Sequence, residues 1–114
     1  MAAKKIAVAF FATESGAMPV RDWLLAIPSE DRKKIGEDIK TVEFGWPIGM
    51  PVCRPLGKGL YEVRTNLKDR IARVFLMVDN DKMILLHGFI KKSRATPDNE
   101  LAIARTRMQI WQRS

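Results

Sequence analysis

The sequence is poor in the residues on which most small-protein chemistry depends: it has one cysteine, Cys53, one histidine, His87, and one tyrosine, Tyr61. A lone cysteine excludes a disulfide within the chain. Together with a single histidine it leaves too few ligands for a four-ligand zinc site, so neither metal nor other cofactor is expected. Cysteine used this sparingly suits a reducing compartment, and a cytoplasmic location follows as an expectation. No apolar run reaches membrane-spanning length. The stretch from Lys4 to Ala12 has the start of a secretory signal, but its apolar part is short. Thr13-Glu14-Ser15 follows without a small-residue cleavage pattern, so the stretch reads as a strand. Six prolines and seven glycines are scattered, no repeat is present, and residues 1–114 read as a single domain without linkers.

Charge is what the chain has in excess. The net charge is +7 and the isoelectric point about 9.9. Residues 1–57 hold 8 Lys+Arg against 7 Asp+Glu, whereas residues 58–114 hold 12 against 6. A polyanionic partner is implied, with its binding surface in the C-terminal half.

Hydrophobic periodicity gives an order of elements. Residues 5–11 form a continuous run of β-formers. Pro19 sits well as the first residue of a short helix to Ile27, ended by Pro28. Ser29 is a candidate N-cap for a second helix with Ile35, Ile39 and Val42 on one face, stopped by Gly45 and Pro47. Four glycines and three prolines make residues 45–59 a loop. Three strands follow, Leu60–Thr65, Arg70–Val78 and Met83–Lys91, joined by short turns that imply antiparallel pairing. Thr96-Pro97 then reads as the cap and first position of a last helix, with Leu101, Ala104, Met108 and Trp111 at helical spacing. The expected fold class is α+β, order β-α-α-β-β-β-α, an antiparallel sheet carrying helices mainly on one face.

Period-two alternation puts Glu62 and Arg64 on one face of their strand. Arg73 falls among Ile71, Phe75 and Met77, where an arginine is costly unless paired or facing a ligand. Lys91 and Lys92 point to opposite faces, so one of them shares the surface of Arg64 and Arg73; Lys92 is preferred. Each also has a structural reading. Arg64 could pair with Glu62 or Asp69, Arg73 could belong to an internal ion pair, and the lysines could be a solvated strand end. His87 reads as a satisfied histidine, Glu62 as an orienting partner for arginine, and Trp23, Trp46 and Trp111 as core. Gly57-Lys58-Gly59 lacks the spacing and hydroxyl of a phosphate-binding P-loop. With one histidine there is no paired-histidine ribonuclease site. Any catalysis must rest on arginine, lysine and a carboxylate.

Leu56-Gly57-Lys58-Gly59-Leu60-Tyr61-Glu62-Val63-Arg64, then Arg73-Val74-Phe75, then Leu85 to Ser93, then Thr96-Pro97 and Glu100 to Ala104, together resemble the phage-derived, HigB-like branch of the RelE/HigB toxin superfamily. The likeness runs from about Lys5 to Trp111. It implies a compact RelE-like fold and the toxin of a type II toxin–antitoxin pair, a ribosome-dependent mRNA endonuclease neutralised by an antitoxin, often a helix-turn-helix DNA-binding protein. Cleavage in that superfamily proceeds by attack of the RNA 2′-hydroxyl on the adjacent phosphate. By position, the catalytic residues would be Arg64, Arg73 and Lys92 (or Lys91), and Lys58, Arg70, Lys91 and Arg94 would hold RNA. Guanidinium groups can bind a phosphate bidentately as its charge grows, whereas lysine suits proton transfer. Better-known relatives carry a tyrosine or histidine near the C-terminus; here nothing aromatic lies between Phe89 and Trp111. Two other readings share these features: a gyrase-targeting toxin like the ParE branch, and a non-catalytic relative that binds antitoxin or RNA.

Overall fold

The structure, a computed structural model, describes residues 3–92 and 95–114. Strand β1 (Ala7–Phe10) leads into helices α1 (Pro19–Ala26) and α2 (Ser29–Gly45). Four strands follow, β2 (Cys53–Gly57), β3 (Leu60–Leu67), β4 (Arg70–Asp79) and β5 (Lys82–Lys91), and α3 (Asp98–Arg113) closes the chain. The strands form one sheet in the order β1-β5-β4-β3-β2. The fold is α+β. Among the described residues no helix is long and apolar enough to cross a membrane.

The sheet is mixed rather than antiparallel. The three hairpins from β2 to β5 are antiparallel, but β1 runs parallel to β5, with Val8 opposite Met83 and Phe10 opposite Leu85. Hairpin-length connections dictate the first pattern; the two helices between β1 and the other strands give the chain room to return in parallel. The expected loop at 45–59 contains β2. Proline and glycine mask it in the sequence, yet this is an edge strand, where Pro55 sits beside a register shift and no central ladder is interrupted. The glycines serve the turn into β3, since Gly57, Lys58 and Gly59 all have positive φ, at 91°, 54° and 83°.

The helices lie on both faces, contrary to the expectation of one. Val20, Ile35, Ile39 and Val42 from α1 and α2 pack on Val63, Ala72, Val74, Leu76 and Leu85. Ala104 and Met108 of α3, with Leu101 and Trp111 beside them, pack on Leu60, Phe75, Met77, Ile84 and Leu86, the alternate residues of the same strands. At about 1.5–3 kcal/mol for each fully buried large apolar side chain, two such layers are the main source of stability. The helix starts also differ from expectation. Pro28 and Pro97 occupy the cap positions, and neither Ser29 nor Thr96 caps a helix with its side chain.

Candidate functional site

Antiparallel pairing places Arg64 of β3 directly opposite Arg73 of β4, and Glu62 of β3 opposite Arg54 of β2. Cross-strand partners share a face, so all four side chains lie on the α3 side of the sheet. Glu62 is fully buried at their centre. Its Oε1 lies 3.3 Å from Arg64 Nε and its Oε2 lies 3.7 Å from Arg73 Nε. Oε2 also accepts a hydrogen bond from the Thr96 hydroxyl at 3.0 Å. The hydroxyl expected to cap the last helix is thus spent on the carboxylate.

Arg73 is 0% exposed. Its Nη1 donates to the Ala95 carbonyl at 2.9 Å, and its guanidinium stands 5.9 Å from the Phe89 ring centroid. Burial is the main cause that pulls its pKa below the usual arginine value; Glu62 opposes that pull, and Arg64 and Arg54 add to it. An arginine stays protonated in proteins, so the shift expresses chiefly the cost of burying its charge, with the like charges of Arg64 and Arg54 adding to it. The expected convergence of Arg64 and Arg73 is therefore present. The expectation that both stand uncapped on an open surface is corrected: Glu62 ties them together, and Arg73 lies beneath the surface. Arg64 keeps 26% of its side chain exposed and Arg54 is exposed.

Residues 22–109 match the family model described as Phage derived protein Gp49-like (DUF891). The chain belongs to this family. It is a family associated with the toxins of toxin–antitoxin systems. No curated protein matches the chain. The matched span of this Gp49-like chain contains the whole cluster, from Arg54 through Glu62, Arg64, Arg73 and Thr96.

The remaining expected residues scatter. Ile71 pairs with Lys91, so Lys91 shares the face of Arg73; Lys92 follows the end of β5 and is exposed. The preference for Lys92 on that face is thus reversed by register. Arg70 alternates to the opposite face, where its Nη2 pairs with Asp31 Oδ2 of α2 at 2.9 Å, and it lies apart from the cluster. Lys58 is exposed at the turn before β3, outside the cluster. Arg94 lies outside the described residues.

His87 is satisfied structurally. Arg107 Nη1, which can only donate, stands 3.3 Å from His87 Nδ1, so Nε2 carries the hydrogen shared with Glu100 Oε1 at 3.2 Å. Both partners belong to α3, and the ring stacks beside Phe89. Arg107 Nη1 also donates to the Leu86 carbonyl at 2.9 Å, and Arg105 Nη2 to that of Leu56 at 3.0 Å. These basic residues fix α3 to the sheet. An apolar groove of about 460 Å³ runs between α3 and the segment after β1, lined by Phe11, Ile103 and Ile110 among others, and no cluster residue lines it.

Arg54 is the residue that sequence reasoning missed. It stands between prolines in a stretch without period-two alternation, and only its pairing with Glu62 reveals its face.

Proposed function

We propose that this chain is the toxin of a toxin–antitoxin pair and an endoribonuclease that cuts messenger RNA, on a RelE/HigB-like fold. The observation that carries this reading is the arginine cluster: Arg64 and Arg73 from adjacent strands on a single buried carboxylate, with Arg54 of the next strand on the same face and an exposed lysine at its end. Such a cluster keeps net positive charge, and membership of the Gp49-like family supplies the toxin–antitoxin setting.

In the proposed reaction the RNA 2′-hydroxyl gives up its proton to solvent water as its oxygen attacks the adjacent phosphorus, the bond to the 5′-oxygen breaks, and a 2′,3′-cyclic phosphate and a 5′-hydroxyl result. Arg64 donates to the non-bridging oxygens as their charge grows. Arg73 works from below. It holds Glu62 and the Ala95 carbonyl, and Glu62 in turn fixes the Arg64 guanidinium. A protonated lysine, Lys91 on the face or Lys92 beside it, supplies the proton to the departing 5′-oxygen. Ribosomal groups complete the site around the message, and an antitoxin with a helix-turn-helix domain neutralises the toxin in the cytoplasm.

Expression in a bacterial host without its antitoxin tests the proposal. Growth arrest with new 5′-hydroxyl ends in translated messages is expected, and Arg64→Gln should lose both at equal protein level. Intact messages with double-strand DNA breaks would replace this reading with the gyrase one. Normal growth would replace it with a non-catalytic role.

A further inference from the structure

We propose that Arg54, beside Arg64, forms a second phosphate subsite at the β2 edge of the sheet, which takes the RNA phosphate next to the one that Arg64 holds for reaction. The inference rests on the RNA-cleaving reading above and extends it to a residue that reading does not use.

Register supplies the geometry. Arg54 lies opposite Glu62, and Arg64 follows Glu62 by two residues on the same face. The two arginines are therefore one strand apart sideways and two residues apart lengthwise, about 8 Å between backbones from ordinary sheet spacings. Two flexible guanidinium side chains at that separation can each hold one of two successive phosphates of a single strand.

Charge supplies the reason. The carboxylate nearest in register, that of Glu62, is fully buried and already shared among Arg64, Arg73 and Thr96. Among the described residues no carboxylate pairs with Arg54. Arg54 and Arg64 both act on Arg73 as like charges, a repulsion that an anion between them would relieve. The position supplies the route. β2 is the last strand of the sheet, so a nucleic-acid chain leaving the reactive phosphate can pass over its edge without meeting another strand.

The test is binding of a fluorescent single-stranded RNA, made non-cleavable by 2′-O-methyl groups, followed by anisotropy across a salt series. Arg54→Gln should weaken binding about 10-fold at low salt and reduce the slope of log affinity against log salt by about one. Arg54→Lys, which keeps the charge, should keep the slope. Lys33→Gln, an exposed change on α2, should match the wild type. Matched melting curves would confirm that all variants fold. Wild-type affinity and slope in Arg54→Gln would overturn the subsite, even with message cleavage demonstrated. A wild-type protein that binds RNA through Arg54 but cuts no message would uphold the subsite and sink the cleavage reading instead.

Discussion

A buried arginine and a buried glutamate stabilise each other only while both are present. Arg73 and Glu62 are fully buried, and removing the arginine would leave the buried carboxylate to Arg64 and the Thr96 hydroxyl and lose the bond to the Ala95 carbonyl. Arg73→Ala should cost about 3–5 kcal/mol of stability, the usual range for breaking a buried pair, whereas Arg64→Gln at the surface should cost little. Urea denaturation of the two variants checks this; equal midpoints would contradict it. Cys53 gives a second residue-scale expectation. Burial pushes its thiol up to about 11, so it should resist a disulfide reagent in the native protein at neutral pH and react once unfolded. Rapid native labelling would contradict the burial. His87 gives a third. Its pKa lies below the ordinary 6.5, mainly through burial; Glu100 opposes the shift and Arg107 adds to it. The unfolded chain thus takes up a proton that the folded chain resists, so stability should fall as pH drops below about 6.5. Urea midpoints between about pH 7.5 and 5.5 should decline more steeply in the wild type than in His87→Gln. Parallel declines would contradict the assignment. At this scale the sequence was legible wherever parity decides: alternation alone put Glu62 with Arg64 and marked Arg73 as needing a partner. It gave Thr96 to a helix cap and was silent on Ala95, yet both reach the cluster from far along the chain.

At the scale of elements, the close approach of α1 to the sheet depends on one missing side chain. A Cβ at Gly88 would collide with the Trp23 ring. Gly88→Ala should therefore destabilise the fold by about 1–3 kcal/mol, measured as a lowered denaturation midpoint, and Trp23→Leu should recover part of that loss. An unchanged midpoint in Gly88→Ala would show that α1 has room to shift. The second helix was readable from periodicity, the first from the prolines that bound it, and the three long strands from their apolar runs between turn residues. β2 was unreadable because an edge strand with a register shift needs no alternation and tolerates Pro55. The placement of α3 on the second face was equally hidden. Its apolar spacing shows that it packs on something, and only the inward-facing Leu60, Phe75 and Leu86 show which side.

For the whole molecule, the two helical layers divide the sheet into a face closed by α1 and α2 and a face where α3 leaves the arginine cluster at its margin. The basic residues split accordingly. Arg105 and Arg107 hold α3 in place, Arg70 pairs with α2, and Arg54, Arg64 and Lys91 remain toward solvent on the cluster face. Net charge in the sequence pointed to residues 58–114, whereas Arg54 lies before them, and charge alone could not separate cations that fix the fold from those that face solvent beside the cluster. In the proposed reaction the Arg64 guanidinium, held by Glu62, stabilises the phosphate as it reacts. The most direct measurement is the single-turnover rate of message cleavage on purified translating ribosomes, wild type against Arg64→Gln. A fall of about 100-fold, with 5′-hydroxyl product ends in the wild type, is the predicted result. Equal rates from a folded variant would contradict the account.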